Sequence, residues 1–154
     1  MKRHIARLVL LVLAASTTAP LVTQAQSAKP TEIVNVNTAT EAALAALPHM
    51  NAARAKALTG KRPFATVSAF DMFLVGQGLT RMQIGEFYMR AFVPLDLNSA
   101  TREEIMLIPG VGTRMAREFL EYRPYKAMDQ FRREIGKYVS KDEVARLERY
   151  VTIK

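Results

Sequence analysis

Two glycines separated by one apolar residue, Gly110-Val111-Gly112, offer the most chemistry in this chain, with Pro109 before them and Thr113, Arg114, Met115 and Arg117 after them. Glycine adopts positive φ in a tight turn, and without a Cβ it lets another molecule's backbone approach closely. Val111 is expected to tuck inward while the N–H groups of Gly112 and the residues after it face out. If a helix starts at Thr113, those amides and the positive end of its dipole form a seat for an anion, and phosphate is the natural occupant. Arg114 and Arg117, three residues apart, share roughly one helical face and can hold neighbouring phosphates.

The elements that position these groups are legible on either side. Thr101 and Glu104 have the spacing of a capping box, so a short helix is expected from Arg102 to Ile108. After the turn, Met115, Ala116, Phe119 and Leu120 recur at helical spacing, which predicts a second helix over 113–122. A Pro-Gly or Gly-x-Gly turn alone often does no more than join two packed helices. Here small Ala116 allows close helix packing and the arginines face outward. The stretch Leu107–Arg117 therefore resembles the helix-hairpin-helix motif, which binds the DNA backbone without reading sequence.

Residues 1–25 have the form of a cleaved signal peptide: basic Lys2, Arg3 and Arg7, an apolar run from Leu8 to Ala15, and Thr23-Gln24-Ala25 at the cleavage position. The run is too short to span a bilayer, and Ser16, Thr17, Thr18 and Pro20 interrupt any extension. Export to the periplasm or beyond the cell is the expectation. Residues 26–35 read as a flexible leader, with order setting in near Ile33. The chain carries a net charge of +8, and removing Lys2, Arg3 and Arg7 leaves it basic, which permits nucleic acid as a partner without demanding it. It contains no cysteine, so packing alone must hold the fold.

Laid on itself at an offset of 61, the chain repeats. Asn37-Thr38-Ala39-Thr40 matches Asn98-Ser99-Ala100-Thr101, Leu47-Pro48 matches Ile108-Pro109, Arg62-Pro63-Phe64 matches Arg123-Pro124-Tyr125, and Phe70 matches Phe131. Beyond that the offset is 60, with Gly76 over Gly136 and Leu79-Thr80-Arg81 over Val139-Ser140-Lys141. The expected fold is all-α: two units, 36–94 and 95–154, of about four short helices each. In the second unit these fall near 102–108, 113–122, 128–135 and 141–150. Ser140 with Glu143, and Thr80 with Gln83, have capping spacing. Arg62-Pro63 and Arg123-Pro124 each stop a helix, because proline disfavours α conformation in the residue before it. Units this small bury little surface alone, so the two are expected to pack across 91–97.

The first unit departs from the motif: His49-Met50-Asn51 replaces the two glycines. Asn and His tolerate positive φ, so the hairpin shape can survive, but their side chains occupy the space a phosphate needs. Scaffolding is the expected role, with contacts at most through Arg54 and Lys56. A weaker hairpin, Val75-Gly76-Gln77-Gly78-Leu79-Thr80, makes Gly76, Gly78, Thr80 and Arg81 a secondary phosphate site. Its counterpart, Gly136-Lys137-Tyr138, keeps one glycine.

Catalytic signatures are missing. After the signal peptide there is one histidine, His49, and no HExxH, paired-aspartate or P-loop pattern, so neither an enzyme nor a cofactor or small-molecule substrate is expected. Glu103, Glu104, Glu118 and Glu121 interleave with arginines as on a solvated face. Met72, Met82, Met89, Met106 and Met115 read as core, as do Phe70, Phe131 and Tyr125.

These pieces are similar to the exported helix-hairpin-helix proteins of the ComEA type, which act in bacterial competence. The likeness rests on Leu97–Ile105, Ile108-Pro109-Gly110-Val111-Gly112, Ala116 and the aromatic after Pro124. It implies sequence-independent binding of double-stranded DNA outside the cytoplasmic membrane, towards an uptake channel. By motif position it gives the amides of Gly112, Arg114 and Met115 to phosphate, and the carbonyls of Met106, Ile108 and Val111 to a monovalent cation. The rival expectation is a protein-interaction module of the cell envelope, associated with secretion or pilus machinery.

Overall fold

The computed structural model describes residues 32–154; the segment read as a signal peptide, 1–25, and the part of the expected leader up to residue 31 lie outside the described residues. Among the described residues, eight helices carry the fold. The first four are α1 (Glu41–Ala45), α2 (Ala52–Lys61), α3 (Val67–Gly76) and α4 (Arg81–Tyr88). The second four are α5 (Arg102–Ile105), α6 (Thr113–Glu121), α7 (Met128–Ile135) and α8 (Lys141–Glu148). Thr40, Thr66, Thr80, Thr101 and Ser140 each accept an amide of the first turn they precede, which relieves donors that a helix start leaves orphaned. Thr80–Gln83 and Thr101–Glu104 close reciprocal capping boxes. At Ser140 the box stays open because Glu143 turns to Arg146 instead.

The all-α expectation needs a correction. Four two-residue strands are present among the described residues: β1 (Val34–Asn35), β2 (Ala91–Phe92), β3 (Leu95–Asp96) and β4 (Val151–Thr152). β1 pairs in parallel with β2, and β3 with β4. Each pair ties the start of a half to its end, and the fold is mostly helical. Strands this short show no alternation to read, and their partners lie far away in the chain. The β-branched Val34 also places order inside the last residues of the segment read as leader.

Residues that recur in the sequence make matching contacts in both halves. The Asn37 side chain donates to the Phe64 carbonyl and accepts its N–H, both at 2.9 Å. Asn98 does the same to Tyr125, at 3.0 and 2.7 Å. Arg62 reaches the Ala39 carbonyl at 2.7 Å, and Arg123 reaches those of Leu97 and Ala100 at 2.5 Å each. The Asn-x-Ala-Thr and Arg-Pro-aromatic segments are thus the two sides of one clamp.

Both halves share one contiguous core. Phe64, Phe70, Phe87 and Tyr88 fill the first half; Phe119, Tyr125 and Phe131 fill the second. Phe92 joins them, with its ring centre 5.0 Å from that of Tyr88 and 5.1 Å from that of Tyr150. The Tyr150 hydroxyl donates to the Tyr88 carbonyl at 3.1 Å. The segment 91–97 therefore lies in the contact between the halves, as expected from their small size.

Several side chains sit elsewhere than expected. Met72, Met82, Met89 and Met106 are exposed and Met115 is half-buried. On α4 the buried stripe is Ile84, Phe87 and Tyr88, so Met82 and Met89 fall on another face. Conversely, Glu104 and Glu118 are buried. Glu104 is turned back onto the Thr101 amide by the capping box, and Glu118 bonds to Arg117 at 3.2 Å. No helix of the described residues is long and apolar enough to cross a membrane.

Candidate nucleic-acid interface

The hairpin between α5 and α6 is closed by the Val111 N–H on the Ile108 carbonyl at 3.0 Å. Ile108 and Val111 are buried beneath it, so the apolar residue between the glycines does point inward. Gly110 has φ +81°, which an L-residue reaches only with strain. Gly112 differs: it is the N-cap of α6 at φ −97°, ψ 179°, with no side-chain bond to the first turn. A Cβ at Gly112 meets nothing within 4 Å, whereas one at Gly110 meets Arg146 Nη2 at 3.3 Å. The turn thus requires positive φ at Gly110. Gly112 instead leaves bare backbone beside open space.

Around that bare end stand the predicted side chains. Thr113, Arg114 and Arg117 are exposed, Pro109 and Met115 are half-buried, and fully buried Ala116 lets α6 pack closely. A cleft of about 260 Å³ opens there, lined by Gly112, Arg114, Met115, Glu118 and Tyr138. The Tyr138 hydroxyl, and after it the Arg117 guanidinium, holds the Glu118 carboxyl below the ordinary carboxylate range despite burial. The cleft thus brings together a helix start that no side chain caps, exposed Arg114, and the Glu118 carboxylate with which exposed Arg117 is paired.

The other hairpin answers the same requirement with its own side chains. His49 takes φ +62°, matching Gly110. Asn51 caps α2 by accepting the Arg54 N–H at 2.8 Å, the amide that corresponds to Met115. The Arg54 guanidinium turns back to the carbonyls of His49 at 2.7 Å and Gln77 at 3.3 Å, whereas Lys56 is exposed. His49 Nε2 lies 2.6 Å from Glu86, where the second half has Gly110 beside Arg146.

Arg146 escaped the sequence reading, and Glu143 entered it only as a capping partner of Ser140. Arg146 is held by two bonds to Glu143, at 2.8 and 2.7 Å, and lies 5.7 Å from the Tyr150 ring centre. That brace supports the back of the hairpin at Gly110.

At the secondary site, Gly78 has φ +79° and Gly76 ends α3. Thr80 is consumed by its capping box. Arg81 bonds to Asp71 at 2.5 Å, and the Tyr88 hydroxyl donates to the same carboxylate at 3.0 Å. Arg81 also lines a cleft of about 250 Å³ whose far wall is the hairpin, Met106 to Val111. The structure thus brings Arg81 towards the main site, while Gly76, Gly78 and Thr80 do not line that cleft.

Of the three carbonyls assigned to a cation, that of Ile108 already accepts the turn's closing N–H, which leaves its second lone pair for an ion. Among the described residues no group of three or more histidine or acidic side chains is placed to hold a metal. Comparison with models of known families, with curated proteins and with solved structures finds no match.

Proposed function

We propose that this is an exported protein of tandem helix-hairpin-helix units, of the ComEA type, that binds double-stranded DNA without sequence preference and serves DNA uptake. The observation that carries the reading is the contrast between its two hairpins. One has its helix start capped by Asn51 and its turn carbonyl filled by Arg54. The other ends in Gly112, with no side-chain cap and open space around its Cα. A helix start left bare beside exposed Arg114 and Arg117 suits a phosphate, and backbone amides contacting backbone phosphates carry no sequence information.

Binding through two to four phosphates gives a Kd of about 10⁻⁴ to 10⁻⁶ M that weakens as salt rises. The test is a titration of the purified protein with two duplexes of unrelated sequence at about 50 and 200 mM salt. Equal affinities and a clear salt slope support the proposal. Absence of binding overturns it.

A second reading, a cell-envelope interaction module without DNA binding, draws on Met72, Met82 and Met89, which are 70%, 75% and 54% exposed in the first half. Exposed methionines suit a protein partner. On that reading Gly112 tolerates any side chain.

A further inference from the structure

The turn between α7 and α8, Gly136-Lys137-Tyr138, has no part in the phosphate seat proposed above, yet the fold places Tyr138 on the wall of the cleft formed by Gly112, Arg114 and Met115. Tyr138 is 39% exposed. Its hydroxyl is bonded to that of Tyr122 at 2.7 Å and faces buried Glu118. Lys137 lies 5.0 Å from the Tyr122 ring centre and is paired with Glu134. The hydroxyl is thus occupied inside the protein, and the ring, tilted against that of Tyr122 with centres 6.4 Å apart, is the part of Tyr138 left partly exposed.

The repeat supplies an internal control. In register, Arg114 and Glu118 of α6 and Tyr122 at its C-cap correspond to Ala53, Ala57 and Lys61 of α2, and Lys137 and Tyr138 correspond to Gln77 and Gly78. The half whose hairpin is closed by Asn51 and Arg54 has small side chains or none at three of these five positions. The half whose hairpin is bare has an aromatic ring fixed beside it by a second aromatic and a buried carboxylate.

Resting on the DNA-binding reading, we infer that Tyr138 is a stacking platform for an unpaired base next to the phosphate held at Gly112, so that the site prefers duplex ends carrying a single-stranded tail over blunt duplex. Every base has a π-face, so such a platform is indifferent to sequence, and Arg114 follows the tail's phosphate. Clamping the hydroxyl between Tyr122 and Glu118 fixes the ring in advance.

The experiment compares three DNAs of unrelated sequence: a blunt duplex closed by a loop, the same duplex with a four-nucleotide tail, and the tailed duplex with 2-aminopurine as its first unpaired base. Stacking by an aromatic side chain predicts about tenfold tighter binding of the tailed duplex and quenching of 2-aminopurine. Tyr138→Phe keeps the quenching because the ring remains, and keeps a reduced preference because the clamp on the hydroxyl is lost. Tyr138→Leu brings the ratio of tailed to blunt affinity to about one and removes the quenching. Equal binding of tailed and blunt DNA by the wild type, or a preference that survives Tyr138→Leu, overturns this inference and leaves duplex binding standing. Failure to bind any of the three overturns the DNA reading, and this inference with it. If Tyr138→Leu does not fold, wild-type fluorescence decides: an unquenched tail base rejects the platform.

Discussion

Replacing Gly112 with Asn should make the protein more stable and a poorer DNA binder at once. The backbone permits the change: Gly112 sits at φ −97°, which any L-residue adopts, and a Cβ there meets nothing within 4 Å. The first half supplies the template, since Asn51 at the matching position accepts the third helical N–H at 2.8 Å. Asn in place of Gly at an N-cap is worth a few tenths of a kcal/mol, which for a chain of this size raises Tm by about 1 °C. The amide that the introduced side chain would engage is that of Met115, one of those assigned to phosphate. Losing one hydrogen bond to a charged phosphate costs about 1.5–3 kcal/mol, a drop in affinity of about 10- to 150-fold. Thermal unfolding by circular dichroism and duplex binding by fluorescence anisotropy measure the two effects on one sample. A variant that is stabilised and still binds as the wild type does would refute the assignment of these amides to phosphate. A variant that is destabilised would refute the account of Gly112 as a bare N-cap.

Gly110→Ala should act on the fold instead: positive φ with a Cβ costs about 1–2 kcal/mol, and the 3.3 Å contact with Arg146 Nη2 adds to it, so a Tm several degrees lower is expected by calorimetry. Arg54→Ala removes the bonds to the His49 and Gln77 carbonyls and should lower stability by about 1–3 kcal/mol in denaturant titrations while leaving DNA affinity unchanged. Tyr150→Phe should cost about 1 kcal/mol in the same assay, because it deletes the buried bond to the Tyr88 carbonyl between the halves. Acid should destabilise the protein through Glu118 and Glu143. Their carboxyls are held below the ordinary range, the first by the Tyr138 hydroxyl and Arg117, the second by Arg146. The stabilisation is full above the unfolded carboxylate value of about 4.3 and is lost as pH falls through the lower folded values. Melting curves from pH 7 to pH 3 should show that loss, with a smaller one in Glu143→Gln.

Much of the fold and of the candidate site was legible because local rules govern both. The capping pairs at Thr80 and Thr101, the stops at Arg62-Pro63 and Arg123-Pro124, and the four helices of the second half follow from contacts within a few residues. What was not legible depends on neighbours distant in sequence. The four short strands exist only through pairing between the ends of each half. Methionine in a helical pattern reads as core, yet on α4 the turn of the helix leaves Met82 and Met89 outside. Arg54, with the composition of an exposed cation, is drawn inward because the first hairpin has a carbonyl to satisfy. Glu118 alternates with arginines as a solvated residue does, and it is buried because Tyr138, twenty residues on, comes to lie against it. The approach of Arg146 to Gly110 and of Tyr138 to Gly112 arises from the packing of α7 and α8 on the hairpin, which no spacing within the motif encodes.

On the proposed function one hairpin seats DNA phosphate and the other does not, a difference that an amide-resolved NMR titration of the protein with duplex DNA reads residue by residue. The expected shifts are concentrated at the N–H groups of Gly112, Thr113, Arg114 and Met115 and reversed by added salt, with those of Asn51 to Arg54 unmoved. Equal shifts at both hairpins, or shifts that spare Gly112 to Met115, would contradict it.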